Sequence, residues 1–160
     1  MMSMTPDQFI ATVALAAQQS SKKTGIPASF TIAEAALESG WGSSQLAAQA
    51  CNLFGVKADA SWPGPTVSMP TREFLAGLWQ FVPATWRKYA DWQACFDDHA
   101  IFLQTNGRYA SAFLYTNGED FAQAVQAAGY ATDPNYAAKL IAVMRQHDLA
   151  SFDAPARIST

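Results

Sequence analysis

Apolar and polar positions along the chain alternate first with a helical period. Phe9, Ile10, Val13 and the alanines that follow form one inward stripe as far as Gln18. Thr5-Pro6-Asp7-Gln8 supplies the start, with Thr as N-cap, Pro at the first helical position and Gln8 closing a capping box. Lys22 and Lys23, then Gly25, mark the stop. Ile26-Pro27 begins a second helix with Phe30, Ala33 and Leu37 on one side and Glu34 and Glu38 together on another, facing a groove. Ser43 to Ala50 predicts a short third helix. The pattern then changes: Pro63, Gly64, Pro65 and Pro70 exclude a continuous helix. From Thr66 to Val82, β-branched and aromatic residues recur around a tight turn at Ala76-Gly77, predicting a small β-hairpin lobe around residues 66–83 with Glu73 near the end of its first strand. From Asp91 the period is helical again, with Trp92, Cys95, Phe96, His99, Phe102 and Leu103 on one stripe and a stop at Asn106-Gly107. A short helix over Tyr109 to Tyr115 follows, then one through Phe121, Val125 and Ala128 ended by Gly129. Asp133-Pro134 caps the last helix, with Tyr136, Leu140, Ile141 and Met144 facing in. The pattern specifies a mostly helical α+β fold in one domain, residues 1–160, with its core over about 5–150 and a frayed tail over 153–160.

Composition narrows the partners. Half of the 160 residues are hydrophobic and only 14% are charged, which is a chain that buries a core without staples. The net charge of −3 argues against nucleic acid held through its phosphates, and against attraction by bulk charge to anionic lipid or wall polymers. A polysaccharide would have to be gripped in a cleft, by aromatic stacking and hydrogen bonds. Cys51 and Cys95 are too few for a disulfide framework and lack zinc-site spacing, so unpaired thiols are expected and no metal or cofactor has a case. Phe9 to Ala17 has the apolar character of a signal peptide, but Asp7 and no positive charge precedes it, so it reads as a helix of the mature protein. No run is long enough to insert in a membrane. A monomer made in the cytoplasm without a signal peptide is the expectation.

The candidate chemistry lies in the carboxylates. Glu38 sits in the last helical turn, where the negative end of the macrodipole disfavours ionisation; shielding by Trp41 would raise its pKa further, as a general acid requires. Glycosidic-bond cleavage commonly pairs such an acid with a second carboxylate across the scissile bond, and Glu73 on the β-lobe suits that role. The alternative for Glu73 is an exposed strand residue paired with Arg72 or another neighbour. Glu34 reads as a groove-edge residue or substrate contact. Among the aromatics, Trp62 in the Pro-rich loop suits stacking on a sugar, Trp92 and Tyr136 lie on inward stripes, and the Tyr130 hydroxyl can reach a cleft. His99 on an apolar stripe reads as a hydrogen-bonded core residue, and a Cys51–His99 hydrolase has only composition in its favour.

Several segments together resemble glycoside hydrolase family 73, the glucosaminidase module. They are Ala36-Leu37-Glu38-Ser39-Gly40-Trp41-Gly42, Asn52-Leu53-Phe54-Gly55-Val56-Lys57, Thr71-Arg72-Glu73-Phe74, Trp86-Arg87-Lys88-Tyr89 and the run from Gly129 through Tyr130 and Tyr136 to Ala137. The resemblance implies a lysozyme-like fold and an endo-β-N-acetylglucosaminidase that cleaves the β-1,4 bond between N-acetylglucosamine and N-acetylmuramic acid in a peptidoglycan glycan strand. The family's acid matches Glu38, its second glutamate matches Glu73, and its tyrosines match Tyr130 and Tyr136; Trp41 and Trp62 are candidate substrate contacts beside them. Many relatives carry Asn-Asn-Leu-Phe-Gly where this chain has Cys51-Asn52-Leu53-Phe54-Gly55, a departure at position 51. The resemblance implies action in the periplasm or cell wall after holin-type release or dedicated export, as in a phage endolysin or a secretion-associated hydrolase. A lytic transglycosylase or muramidase on the same fold is the nearest rival, and a non-catalytic wall-binding or assembly module is the rival of another class.

Overall fold

Thr5 opens the first helix as its sequence requires. Its hydroxyl accepts from the Gln8 amide while the Gln8 side chain accepts from the Thr5 amide, and Gly25 closes the helix in the left-handed region at φ 84°. In the computed structural model, which describes residues 4–154, this helix is α1 (Pro6–Thr24), followed by α2 (Ala28–Ser39) and α3 (Gln45–Ala50). Four strands follow: β1 (Thr66–Ser68), β2 (Thr71–Leu75), β3 (Leu78–Val82) and β4 (Thr85–Arg87). The helices resume with α4 (Trp92–Thr105), a 3-10 helix (Gly107–Leu114), α5 (Gly118–Ala127), α6 (Tyr136–Gln146) and a second 3-10 turn (Leu149–Phe152). The fold is mostly helical with a small antiparallel lobe, as the pattern specifies.

The core is organised around α2. Its residues from Ala28 to Ala36 are all buried, and α1, α5, α6 and the second 3-10 turn pack around it. A helix apolar all round belongs inside a protein. Phe30 and Ile32 are fully covered, each stabilising the fold by about 1.5–3 kcal/mol. The alanines at 33, 35 and 36 let neighbours approach closely. At Gly118 the approach is tighter still: a Cβ there would meet Ser29 Oγ and Met144 Sδ at 2.1 and 3.0 Å. The expected two-sided helix is thus corrected. Leu37, assigned inward, is 37% exposed, while Glu34, assigned to a groove edge, has no exposed surface.

The β-lobe is one long hairpin in two ladders. Thr66 to Ser68 pair with Arg87 to Thr85, and Thr71 to Leu75 pair with Val82 to Leu78. Pro70 and Pro83 lie between the ladders, where their missing N–H groups break regular pairing, while the Met69 amide still reaches Ala84 O at 3.0 Å. Ala76 and Gly77 both take positive φ, which matches the twist of a two-residue hairpin turn. Glu73 falls in the middle of β2, opposite Gln80, rather than near its end.

The end of the described chain is anchored. The Asp153 carboxylate accepts from the Ser29 amide at 2.8 Å and the Ser29 hydroxyl at 2.7 Å. Pro27 offers α2 no side-chain cap, so a residue 124 positions away satisfies the free amide at its N-terminus. The fraying expected from 153 therefore does not hold at Asp153; the expectation for 155–160 lies outside the described residues. At α6, Asp133 accepts from the Asn135 amide and from Lys139 Nζ just before the helix, which itself begins only at Tyr136.

Candidate active site

The last turn of α2 ends in three consecutive residues with positive φ: Gly40, Trp41 and Gly42. Ser39 holds this reversal, donating to Ala35 O at 2.6 Å and accepting from the Gly42 amide at 2.8 Å. Gly42 has no room for a side chain, since a Cβ would lie 3.1 Å from the Phe9 ring. Trp41, strained at φ 58°, is kept there by edge contacts with the Phe9 and His147 rings. Those contacts give Trp41 a structural duty.

Glu38 keeps an exposed edge, and its carboxyl meets a buried network. The Tyr136 hydroxyl, from α6, lies 3.0 Å from Glu38 Oε1 and 2.9 Å from Glu34 Oε2. Glu34 Oε1 in turn lies 2.5 Å from His99 Nε2 on α4, and the Tyr130 hydroxyl lies 3.2 Å from the same nitrogen. Partial removal from water, then the charge of Glu34, raise the Glu38 pKa above the ordinary glutamate value. Burial and the same carboxylate push the Tyr130 hydroxyl well above the usual tyrosine range, and Tyr136 is raised by burial and both carboxylates. Both shifts favour the neutral hydroxyl over the tyrosinate.

His99 stacks on Phe54 with ring centroids 4.1 Å apart and near-parallel planes, and Phe102 lies parallel at 6.3 Å. These rings fix the imidazole plane so that Nε2 faces Glu34. His99 is the hydrogen-bonded core residue that its stripe implied, and its hydrogen-bond partners are Glu34 and Tyr130, so the Cys51–His99 pairing is not formed. Cys51 and Cys95 are free, and burial pushes the Cys95 thiol up to about 12.

A cleft of about 370 Å³ opens beside this network. His99, Tyr130, Tyr109 and Phe102 form its helical side, and Lys57, Asp59 and Arg87 come from the segment leading to the β-lobe and from β4. Neither Glu38 nor Glu73 lines the cavity itself. Glu73, partly exposed, binds Lys57 Nζ at 3.0 Å; its partner is this lysine and not Arg72, whose guanidinium lies over Trp79. Arg87 is fixed to Asp98 at 2.9 Å and covers one face of Trp62 at 4.9 Å. The Trp62 indole donates to Pro65 O, so this tryptophan backs the cleft rim with one face already occupied.

The structure therefore brings Glu34, Glu38, Tyr130 and Tyr136 together with His99, while Trp41 packs on Phe9 and His147. His99 and Lys57 carried a signal in hindsight. A histidine on an apolar stripe needs a buried acceptor, and Lys57 closes a motif that was read only as a whole.

Known proteins can now be set beside this geometry. The family model for glucosaminidase, described as mannosyl-glycoprotein endo-beta-N-acetylglucosaminidase, matches residues 14–149. The chain is 41% identical over 142 residues to the peptidoglycan hydrolase FlgJ of Salmonella typhimurium, covering 86% of this chain and 45% of FlgJ. It is 39% identical over 150 residues to the exo-glucosaminidase LytG of Bacillus subtilis, covering 91% of this chain and 52% of LytG. It thus spans about half the length of these curated relatives. Among solved structures, the glycoside hydrolase domain of Salmonella typhimurium FlgJ matches with a TM-score of 0.78 at 38% identity, over 90% of this chain and 98% of that one. The catalytic domain of the autolysin Auto from Listeria monocytogenes matches with a TM-score of 0.84 at 30% identity, over 96% and 91%. The chain belongs to the glucosaminidase family, the glycoside hydrolase family 73 that its motifs resemble.

Proposed function

We propose that this glucosaminidase-family domain hydrolyses the β-1,4 bond between N-acetylglucosamine and N-acetylmuramic acid in peptidoglycan, with Glu38 as general acid. The observation that carries the reading is the raised pKa of a carboxyl that ends a helix, keeps an exposed edge and touches a second carboxylate through one hydroxyl. Glu38 gives its proton to the glycosidic oxygen as the bond to the anomeric carbon breaks. Positive charge then develops on the sugar ring, and a water adds to the anomeric carbon while giving up a proton to a carboxylate of the site, which leaves a new reducing N-acetylglucosamine end. Glu73, on the β-lobe, supports that charge or orients that water, and Lys57 holds its carboxylate in place. Tyr130, at the inner wall of the cleft, contacts the sugar that approaches Glu38. The peptidoglycan hydrolase relative and the glucosaminidase relative support the substrate and the bond. The protein acts as a monomer on the wall, reaching it by holin-type release or dedicated export. Among the described residues no helix is long and apolar enough to cross a membrane.

The test is the rate of reducing-end release from purified peptidoglycan. Glu38→Gln keeps size and fold but has no proton to give, so the rate falls by roughly a hundredfold or more; retention of most of the activity would remove Glu38 from the acid role. Glu73→Gln also lowers the rate. Since an exposed ion pair such as Lys57–Glu73 contributes at most about 1 kcal/mol to stability, its loss leaves the fold intact. A near wild-type rate for Glu73→Gln would assign the second step to the substrate's own acetamido group.

A further inference from the structure

The buried half of the network has no evident place in the cleavage reaction. Glu34 is fully covered and cannot touch a glycan, yet a carboxylate without exposure persists only when donors satisfy it. Three groups face it: His99 Nε2 at Oε1, the Tyr136 hydroxyl at Oε2, and the Tyr130 hydroxyl, which also hydrogen-bonds this carboxylate and, with Nε2 carrying its hydrogen toward Glu34, does not donate to that nitrogen. The same hydroxyl lies at 3.0 Å from Glu38. A hydroxyl carries one hydrogen and cannot donate to both carboxyls at once. If both were ionised, one would face the Tyr136 oxygen lone pair with no hydrogen between them. The contact is satisfied when one carboxyl carries a proton and donates it to the tyrosine oxygen, while the tyrosine donates to the other.

We propose that Glu34 and His99 are positioning residues: His99 N–H and Tyr136 O–H both donate to Glu34, leaving the Tyr136 oxygen as acceptor for a proton held on Glu38. The direction follows from the surroundings. Hydrogen bonds donated to both oxygens of Glu34 offset the burial that by itself disfavours a charge, so the negative charge is placed there. Glu38 has one neighbour in the network and an open edge, which is where a transferable proton is useful. The groups facing this pair are Tyr136 from α6, His99 from α4 and Tyr130 from the segment between α5 and α6. The remaining charged side chains, Lys57, Asp59, Arg87 and Asp98, line the cleft past His99. The inference rests on the reading of Glu38 as the acid only for its consequence in catalysis; the proton's location is a separate question with its own measurement.

That measurement is a carbon-13 NMR titration of the Glu38 side-chain carboxyl, which reads protonation without turnover. In the wild type the Glu38 midpoint lies above the ordinary glutamate range. Glu34→Gln removes the buried charge and lowers the midpoint by about one pH unit or more. His99→Leu takes a donor from Glu34, which then holds the proton itself, and the Glu38 midpoint falls; His99→Gln still offers an N–H and keeps it raised. An unchanged midpoint in folded Glu34→Gln, or in folded His99→Leu, would overturn the proposal. Should those variants fail to fold, Tyr136→Phe keeps the ring and decides the direction. The midpoint falls if the hydroxyl accepted from Glu38, and a rise would show that it had been donating to Glu38 and would overturn the chain. Loss of the raised midpoint supports the chain even if Glu38→Gln proves active, so the two readings fail separately.

Discussion

At the scale of single residues, Glu38 joins two demands that oppose each other. The environment that keeps its proton also makes the charged form costly, so the acid is expected to weaken the fold at neutral pH. A carboxyl whose pKa is raised on folding binds its proton more tightly folded than unfolded. Its contribution is then fully present below the ordinary glutamate range and lost as pH rises through the raised value. Glu38→Gln removes that loss. In thermal melts the variant should unfold above the wild type at pH 7, with the difference shrinking in acid, and a lower melting temperature at pH 7 would contradict the burial argument. With Glu38 as the proposed acid, the same pKa should set the alkaline limb of activity, the rate falling as Glu38 loses its proton. The position of Glu38 at a helix end was legible because helix stops depend only on local sequence. Its partner was not: Glu34 and His99 are 65 positions apart, and no spacing rule joins them.

At the scale of elements, local chemistry carried well. The capping box of α1, the positive-φ turn at Ala76-Gly77 and the stop at Gly25 each depend on residues within a few positions, and each forms where the pattern put it. The misreading of α2 has a physical cause. Its alanines pack on every side, so periodicity could not distinguish a buried helix from a two-faced one, and two glutamates suggested an exposed face. The cap on its N-terminus was also hidden, because Asp153 lies 124 positions from Ser29. Asp153→Ala should cost about 1 kcal/mol, seen as a lower denaturant midpoint with the slope unchanged. Since α2 carries Glu34 and Glu38, the loosened helix should also broaden the Glu38 titration. An unchanged midpoint would mean that water replaces the cap without cost.

At the scale of the whole molecule, the site is an assembly of distant segments. The end of α2 supplies two carboxyls, α4 supplies the histidine, and the segment before α6 and α6 itself supply two tyrosines, while Lys57 on the cleft binds Glu73 of the β-lobe, the proposed second carboxylate. A mostly helical body with a hairpin lobe was readable from the pattern, and the family motifs placed the lobe's glutamate. The packing of Trp41 on Phe9 and His147 and the burial of Glu34 needed coordinates, because both follow from how distant segments meet. The central claim is hydrolysis after N-acetylglucosamine by a proton from Glu38, and the identity of the products tests it most directly. Peptidoglycan digested by the wild type, reduced with borohydride and examined by mass spectrometry should yield fragments ending in reduced N-acetylglucosamine, and digestion by Glu38→Gln should yield almost none. Fragments ending in anhydro-muramic acid, or in reduced N-acetylmuramic acid, would contradict the claim and assign the domain to a transglycosylase or a muramidase.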